Sequence, residues 1–356
     1  MRKMQPKTSL GNFWKNKRVM ITGFSGFKGA WMTLLLSRLG SKVYGYSLNN
    51  LLDKKNNKIL KLESHCKEVC YGDILNKKRL EKFYQKTNPH IVIHMAAQSI
   101  VEQSYINPKR TFEVNIIGLI NLLNCIKKKV KQNKPIIFVL TSDKCYENNK
   151  SKKFIESDNL NGDDPYSGSK AAQEVVCNSY NKSFNLNIAT ARAGNVLGGC
   201  DFNKGRIMVD LMESIFRKKK LFIRNKFATR PWQHVIDLNI NYLKFIKKFY
   251  YNPKLAQPWN FGPKKSFSVN KIINLLKKDH LLSYNKSKNI FREKKFLNIS
   301  SNKIKKELKI TNNFAFSKTI KETVEWYEVY YKSKKKIYEF SLKQVDKALH
   351  ESKLYK

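Results

Sequence analysis

Short apolar runs alternate with longer segments of helical periodicity along the first 190 residues of the chain. Strands separated by helices of about 10 to 20 residues form βαβ units, which give a parallel sheet with helices on both faces. The pattern therefore predicts an α/β fold with a doubly wound parallel sheet of the Rossmann type. The runs that we assign to strands are Arg18–Thr22, Lys42–Tyr46, Ile91–Ala96, Pro135–Thr141 and Asn187–Arg192.

The regular alternation ends near Gly194, where loop signals become frequent. We expect residues 1–193 to form a nucleotide-binding domain, with a return segment near residues 232–262. Residues 194–335 are expected to form mainly a smaller C-terminal substrate-binding domain. Residues 336–356 are rich in lysine and are predicted to be a C-terminal tail of doubtful order. The loop signals are Gly198-Gly199, Arg230-Pro231-Trp232 and Gly262-Pro263.

The net charge of +43 is large enough to raise the question of nucleic-acid binding, because a basic surface binds phosphate through counterion release. The lysines are spread through the whole chain together with many asparagines and isoleucines. We interpret this mixture as a compositional bias and expect no nucleic-acid partner. The charge does predict a favourable field for an anionic substrate.

Neither a membrane span nor a signal peptide is expected from the apolar pattern. No apolar run reaches about 18 residues, and the N-terminus lacks the apolar segment of a signal peptide. The expected location is the cytoplasm. The six cysteines are scattered without the paired spacing of a zinc site, so we predict free thiols and no metal.

A glycine-rich loop follows the first predicted strand and opens a helix. Gly23, Gly26 and Gly29 are spaced three and three, which lets the backbone approach a pyrophosphate at a helix N-terminus. Ala96 and Ala97 end the fourth strand and are small enough for a dinucleotide to lie against them. The residues of the loop predicted to bind this cofactor are Gly23, Phe24, Ser25, Gly26, Phe27 and Gly29.

The adenosine end of the cofactor is less well defined by the sequence. An acidic residue about 20 positions beyond the loop normally binds the ribose of NAD. The second strand instead ends Tyr46-Ser47-Leu48-Asn49, so the choice between NAD and NADP stays open. Asp73 and Ile74 follow the next strand and are predicted to bind the adenine. The alternative for Asp73 is a helix N-cap.

Two clusters of polar residues have the chemistry of a catalytic site. Tyr166 and Lys170 share one face of a predicted helix, and an ammonium beside a phenol lowers the pKa of that phenol. Tyr166 is therefore predicted to be a base for a sugar hydroxyl. Ser142, Asp143 and Lys144 follow a strand, where catalytic residues of open α/β sheets gather. The alternatives are an exposed Tyr and Lys on a helix and an exposed turn.

Motifs along nearly the whole chain to about Tyr330 carry a family resemblance. They are Phe13-Trp14, Thr22–Gly29, Gly45–Leu48, His94–Gln98, Thr141–Glu147, Asp164–Ser167, Ala191–Val196, Arg230–Val235 and Trp259–Pro263. The chain resembles the extended short-chain dehydrogenase/reductases, and among them the CDP-glucose 4,6-dehydratases. The most discriminating run is Ser142–Glu147, because related sugar-nucleotide dehydratases carry Glu where Lys144 stands. The chain departs from the family at Gly198–Phe202 and at Leu308–Asn312.

The resemblance implies an NAD-dependent hydro-lyase that converts CDP-glucose to CDP-4-keto-6-deoxyglucose, a step of deoxysugar biosynthesis for lipopolysaccharide O-antigen. Oxidation at C4 makes C5 an α-carbon, so its proton becomes acidic. In the implied mechanism Tyr166, aided by Lys170 and Ser142, takes the proton of the C4 hydroxyl as hydride passes to NAD. Lys144 then takes the C5 proton, Asp143 protonates the departing C6 hydroxyl, and hydride returns to C6.

The predicted substrate site combines two groups of polar residues. Three follow the fourth strand, where a sugar would lie, and four match or neighbour family positions that hold the nucleotide or its diphosphate. Arginine is suited to bidentate phosphate contacts. The predicted residues are Gln98, Ser99, Ser104, Asn195, Arg206, Arg230 and Asn260.

The resemblance further implies a homodimer or homotetramer in which two helices of each copy pack as a four-helix bundle. Other functions remain open. They are a 4,6-dehydratase acting on another nucleotide sugar, an epimerase of the same fold, and a non-catalytic NAD-binding or nucleic-acid-binding protein. An epimerase would need Tyr166 and Lys170 but not Asp143 and Lys144.

Overall fold

The computed structural model describes residues 10–129, 134–147, 153–286 and 297–352. The strands are β1 (Arg18–Thr22), β2 (Lys42–Ser47), β3 (Glu68–Tyr71), β4 (Ile91–His94), β5 (Ile136–Leu140), β6 (Asn187–Ala193), β7 (Val196–Leu197), β8 (Phe222–Ile223), β9 (Thr229–Arg230), β10 (Gln233–His234), β11 (Pro258–Phe261), β12 (Phe267–Ser268) and β13 (Asn285–Lys286). The helices are α1 (Leu10–Trp14), α2 (Phe27–Arg38), α3 (Leu51–Leu60), α4 (Lys77–Thr87), α5 (Val101–Ile106), α6 (Pro108–Phe112), α7 (Gly118–Lys129), α8 (Pro165–Phe184), α9 (Ile207–Arg217), α10 (Val235–Tyr251), α11 (Val269–Leu276), α12 (Asn302–Leu308), α13 (Phe316–Lys332) and α14 (Ile337–Glu351). A π-helical segment, Glu113–Ile117, joins α6 to α7.

The main sheet has seven strands in the order β11, β6, β5, β4, β1, β2, β3. All neighbouring strands in it are parallel, and Thr22 at the end of β1 lies in register with Tyr46 of β2 and His94 of β4. Successive strands are added to one edge of the sheet up to β3 and to the opposite edge from β4 onward, so the strand order reverses between β1 and β4. Ligands of open α/β sheets bind in the crevice at such a point. The predicted Rossmann-type fold is confirmed.

Alternate residues of the strands face two separate hydrophobic clusters. Val19 and Ile21 of β1 pack into the larger cluster with residues of α2, α10 and α14. Met20, between them, packs into the second cluster with residues of α4 and α7. This alternation follows from the two-residue period of a strand. Both faces of the sheet are therefore covered, which explains why its strands are almost continuously apolar.

The segment predicted to return to the first domain contains α10 and β11. Helix α10 packs against α2, and β11 pairs with β6 in the register Trp259 to Ala191. Residues of α9 and of the short strands β7, β8 and β9 lie over the carboxyl ends of the sheet strands, where they line the cavity described below. The domain limits themselves stay a prediction.

The prediction of a lysine-rich tail of doubtful order is wrong for residues 337–351, which form α14. Buried residues recur at Ser341, Val345 and Leu349, four apart, so the lysines do not prevent one face from packing. Helix α14 contacts α2, α3, α10 and α13. Residues 353–356, and residues 1–9 on which the expectation about a signal peptide largely rests, lie outside the described part of the chain.

Three further observations concern the described residues as a whole. None of their helices combines the length and the apolar character that crossing a bilayer requires. The six cysteines are free thiols, of which Cys66 and Cys70 are half-buried and the others buried. No group of three metal-ligating side chains comes together within the described residues.

Candidate active site

A cavity of about 940 Å³ lies at the carboxyl ends of the sheet strands. It brings together most of the residues predicted from the sequence, although they come from segments far apart in the chain. Those that line it are Gly23, Gly26, Phe27, Gly29, Asp73, Ile74, Ala96, Ala97, Ser99, Ser142, Asp143, Lys144, Tyr166, Lys170, Asn195, Arg206 and Arg230. Those that do not are Phe24, Ser25, Gln98, Ser104 and Asn260.

Each of the three loop positions is occupied by glycine for a different structural reason. Gly23 has a φ of +75°, and a Cβ there would lie 2.8 Å from the backbone nitrogen of Ala96. A Cβ on Gly29 would lie 2.0 Å from the carbonyl oxygen of Gly23. Gly26 is different, because a Cβ there would meet only the Gly23 oxygen, at 3.4 Å. Gly26 is the N-cap of α2 and lines the cavity, and no side chain caps the amides of the first helical turn. The space beside Gly26 and these amides therefore fit a pyrophosphate.

The side chains of Phe24 and Ser25 do not line the cavity, so cofactor binding by these two residues stays a prediction that concerns their backbone. Phe24 is fully buried, and its ring occupies the space where a Cβ on Gly45 would be. The hydroxyl of Ser25 is hydrogen-bonded to Ser47 at 2.7 Å and to Asp53 at 2.8 Å. Both side chains therefore support the loop from behind.

Asp53 supplies a carboxylate near the end of β2 that sequence reasoning missed. It lies in the first turn of α3 and lines the cavity, and Asn50 caps this helix by accepting a hydrogen bond from the Asp53 amide. Burial raises the pKa of Asp53, and the hydrogen bond from Ser25 opposes this rise. The residues directly after β2 contain no carboxylate, because Asp53 comes only after α3 has begun at Leu51. Its position fits the ribose of a dinucleotide.

Asp73 lines the cavity but also has protein partners. Its Oδ1 accepts a hydrogen bond from the amide of Leu75 at 2.9 Å, and its Oδ2 forms an ion pair with Arg110. The N-cap of α4 is Asn76, so Asp73 does not cap that helix. Ile74 packs against Gly118, beside the same end of the cavity.

Gln98 and Ser104 do not line the cavity and their side chains bind protein groups, so their assignment to the substrate stays a prediction that this geometry does not support. Gln98 accepts a hydrogen bond from the amide of Ile100 at 2.6 Å and donates one to Thr111 at 2.9 Å. Ser104 is fully buried and donates to the carbonyl oxygen of Val101 at 2.6 Å. Protein groups therefore engage both side chains, whereas Ser99 of the same segment lines the cavity.

Asn260 is also buried in the fold instead of facing a nucleotide. Its Oδ1 accepts a hydrogen bond from the hydroxyl of Tyr146 at 2.7 Å, and its Nδ2 donates to the carbonyl oxygen of Phe154 at 3.1 Å. The Tyr146 hydroxyl in turn accepts a hydrogen bond from Arg192 at 2.9 Å. These contacts fasten the turn after β5 to β6 and β11, which positions the catalytic candidates of that turn.

Asp143 has the properties of a general acid. It lies in the turn after β5 and is 3% exposed, and its Oδ1 accepts a hydrogen bond from Ser142 at 3.2 Å. Its Oδ2 has no hydrogen-bond partner among the described residues. Burial raises the pKa of Asp143 to about 6, although the nearby charges of Lys144 and Arg230 lower it. The carboxyl group can therefore hold a proton close to neutral pH and deliver it to a group in the cavity.

Tyr166 and Lys170 lie on α8, whose N-cap Asp164 accepts a hydrogen bond from the amide of Ser167. Burial raises the pKa of Tyr166 to about 12, and a hydrogen bond with Ser142 opposes the rise. Burial and the charge of Lys28 lower the pKa of Lys170 to about 7.

The predicted effect of Lys170 on Tyr166 is not what this structure shows. The Lys170 Nζ donates to the carbonyl oxygen of Leu140 at 3.1 Å and to Gln173 at 2.9 Å. Because Lys170 is buried and only about half charged at neutral pH, it does little to offset the burial of the phenol. The pKa of Tyr166 is instead lowered by its hydrogen bond with Ser142 and by the charge of Arg206, which both favour the phenolate.

Two arginines and a lysine give the cavity a positive charge close to Asp143. Arg206 forms an ion pair with Asp201 at 2.8 Å and donates to Ser99 at 3.3 Å. Arg230 is 4% exposed and lies close enough to Asp143 to lower its pKa. Lys28, in the first turn of α2, also lines the cavity and was not singled out by sequence reasoning. Such a set of cations fits the diphosphate of a nucleotide.

Comparison with known proteins agrees with this geometry. Residues 20–323 match the family described as GDP-mannose 4,6 dehydratase. A CDP-glucose 4,6-dehydratase of Salmonella typhimurium is 33% identical over 340 residues, which are 90% of this chain and 92% of that protein.

Solved structures give the same fold at lower identity. A UDP-glucuronic acid 4-epimerase from Bacillus cereus, in complex with UDP-glucuronic acid and NAD, has a TM-score of 0.78 and 22% identity over 87% of this chain and 98% of that one. A dTDP-glucose 4,6-dehydratase from Streptomyces venezuelae, with NAD bound, has a TM-score of 0.76 and 19% identity over 87% of this chain and 96% of that one. From the match to the family, the relative in Salmonella and the fold, we conclude that the chain belongs to the GDP-mannose 4,6 dehydratase family of extended short-chain dehydrogenase/reductases.

Proposed function

We propose that the chain is a CDP-glucose 4,6-dehydratase, which converts CDP-glucose to CDP-4-keto-6-deoxyglucose and water with NAD as its cofactor. The observation that carries the proposal is the meeting of Ser142, Asp143 and Lys144 with Tyr166 and Lys170 in one cavity. The likeness to the Salmonella CDP-glucose 4,6-dehydratase over 90% of the chain supports the choice of nucleotide. An epimerase requires no acid beside the Tyr and Lys, whereas this cavity holds a buried one.

The cofactor site in this proposal uses the glycine loop and the end of β2. Gly26 and the amides at the N-terminus of α2 would hold the pyrophosphate, and Asp53 and Asp73 would hold the adenosine, because Gly26, Asp53 and Asp73 all line the cavity. A carboxylate near the ribose favours NAD over NADP, because it repels a 2′-phosphate. Bound NAD would supply a reversible hydride carrier, which accepts hydride from C4 of the hexose and returns it to C6.

The chain's own residues move the protons. Tyr166, hydrogen-bonded to Ser142, would take the proton of the C4 hydroxyl as a phenolate, which requires that the positive charge of bound nicotinamide lower its pKa from about 12. Once C4 is a ketone the C5 proton is acidic, and Lys144 removes it. Asp143 gives its proton to the C6 hydroxyl, which leaves as water, and its pKa of about 6 suits this transfer near neutral pH.

The oligomer in the proposal is a homodimer formed through α6, the π-helical segment and α8, which lie side by side. Large apolar side chains are exposed on this surface, among them Phe112, Ile117 and Val175 at 39%, 47% and 59%. Contiguous apolar groups of this kind are typical of subunit interfaces. We place the enzyme in the cytoplasm, where nucleotide sugars are made.

The test is incubation of the purified protein with CDP-, dTDP- and UDP-glucose, followed by NMR. We expect a 4-keto-6-deoxy product from CDP-glucose, formed fastest of the three and without net consumption of NAD. The matched control is the double variant Asp143→Asn, Lys144→Met, which keeps the base for C4 but loses both groups of the elimination. It should oxidise C4 once and release no 6-deoxy product. Faster turnover of dTDP-glucose, or an unimpaired yield from the double variant, would contradict the proposal.

A further inference from the structure

Lys28 is a cation of the cavity that the mechanism above does not use. It lies in the first turn of α2, two positions after Gly26, and its side chain lines the cavity. The side chain makes no hydrogen bond or ion pair with the described residues. Burial and the charge of Arg206 lower the pKa of Lys28 to about 8, so it is still mostly protonated at neutral pH. A partly desolvated ammonium without a partner is costly, and an anionic ligand would relieve that cost.

The charges around Lys28 show which end of the cavity its ammonium reaches. Those that act on it most strongly are Arg206, Asp143 and Asp201, and Lys28 in turn acts on Lys170. Asp143 is in the turn after β5, whereas Asp201 and Arg206 are in the loop between β7 and α9. The carboxylates of the adenosine end, on α3 and after β3, are not among these groups. The guanidinium of Arg206 also lies 5.9 Å from the ring of Phe27, the residue before Lys28. The ammonium therefore lies close to Arg206 and to Asp143 in the same cavity.

We propose that Lys28 is a substrate-binding residue that holds the phosphate bonded to the hexose, a role that rests on the proposed function. In a nucleoside diphosphate sugar this phosphate is the group between the hexose and the second phosphate. A residue close to both Asp143 and Arg206 meets that group when the hexose lies at Asp143 and the second phosphate lies at Arg206. The contact fixes how far C4 and C5 of the sugar reach toward Tyr166 and Lys144.

The helix explains why the sequence hides this residue. Lys28 lies within the glycine motif, between Gly26 and Gly29, and the motif is recognised by its glycines, of which Gly29 allows the close approach of the Gly23 carbonyl. Side chains in the first turn of a helix point back toward its N-terminus, so that of Lys28 reaches the same cavity as the glycine loop. The glycine loop thus serves the cofactor through its backbone and the substrate through one side chain.

Binding of CDP and CMP to Lys28→Met tests the proposal directly, because only CDP has the phosphate that Lys28 is proposed to hold. Calorimetry should show a loss of CDP affinity of roughly tenfold to a hundredfold, as expected for a charge-assisted hydrogen bond. The affinity for CMP should stay within a fewfold of wild type. Lys28→Arg keeps the charge and should retain most of the preference for CDP.

Lys42→Met is the matched control, because it removes one positive charge from an exposed position at the opposite end of β2. It should bind CDP like wild type. Thermal unfolding of each variant checks that the fold is intact, and Lys28→Arg must still distinguish CDP from CMP if the charge is what matters.

Three results would overturn the proposal. They are unchanged CDP binding by Lys28→Met, an equal loss for CDP and CMP, and a loss confined to NAD. The result is different if the role of Lys28 is correct but the natural substrate carries a nucleotide other than CDP. In that case UDP and UMP, or dTDP and dTMP, bind more tightly than the cytidine pair but still show the difference that depends on Lys28.

Discussion

Asp143 couples catalysis to stability through its burial. Its folded-state pKa is about 6, above the value of about 4 for an unfolded aspartate, so the folded protein favours the protonated form. The stability that this gives is fully present below about pH 4 and is lost as the pH rises through about 6. A catalytic acid that is ready to give up its proton near neutral pH therefore destabilises the fold there.

Asp143→Asn removes this ionisation and tests the argument. The free energy of unfolding of the variant minus that of wild type should rise by about 2 kcal/mol when the pH is raised from about 4 to about 8. Calorimetric unfolding at the two pH values measures the gain. Asp279→Asn, at an exposed position, is the control and should show no such gain. A difference between Asp143→Asn and wild type that is independent of pH would mean that the carboxyl group does not titrate in this range.

At the scale of elements, a buried ion pair sets the position of α8 against the sheet. Glu174 of α8 and Arg192 of β6 are 3.0 Å apart, and their side chains are only 2% and 3% exposed. Glu174 also accepts hydrogen bonds from Thr141 and Thr190. Since Tyr166 and Lys170 are on the same helix, this pair determines where they lie relative to the turn after β5.

Glu174→Gln should be far more damaging than the loss of an exposed ion pair. Removing one partner leaves Arg192 buried with its charge uncompensated, which costs about 3 to 5 kcal/mol. Arg38 and Asp346, which join α2 to α14, are 42% and 36% exposed, so Asp346→Asn should cost at most about 1 kcal/mol. Urea unfolding of the two variants measures both costs. Similar costs for the two pairs would show that the position of α8 does not depend on the buried pair.

At the scale of the whole molecule, the surface formed by α6, the π-helical segment and α8 is expected to join two copies of the chain. Val175→Glu places a charge at the middle of that surface and should convert the dimer to a monomer, because a buried unpaired charge opposes association. Light scattering after size exclusion measures the mass. Leu281→Glu changes a fully exposed apolar residue elsewhere and should leave the dimer intact. A wild-type monomer, or a Val175→Glu dimer, would contradict the proposed interface.

The sequence by itself determined the features that depend on neighbouring residues. Buried parallel strands need unbroken apolar runs, so β1, β2, β4, β5 and β6 could be read from the chain within a few residues. The glycine loop needs three small residues at a set spacing, and the shared face of Tyr166 and Lys170 follows from the period of a helix. The turn Ser142–Lys144 could be placed because the carboxyl ends of parallel strands meet at one edge of the sheet.

Only the tertiary structure decided what each polar side chain contacts, because its partners come from distant segments. Gln98, Ser104 and Asn260 have the chemistry of ligand-binding residues, yet protein groups satisfy their hydrogen bonds. The pKa of Tyr166 depends on how deeply α8 is buried, which outweighs the lysine four positions along the same helix. Lys28 reaches the substrate end of the cavity because α2 begins beside it. Burial and long-range packing set these outcomes, and neither can be calculated from the spacing of residues along the chain.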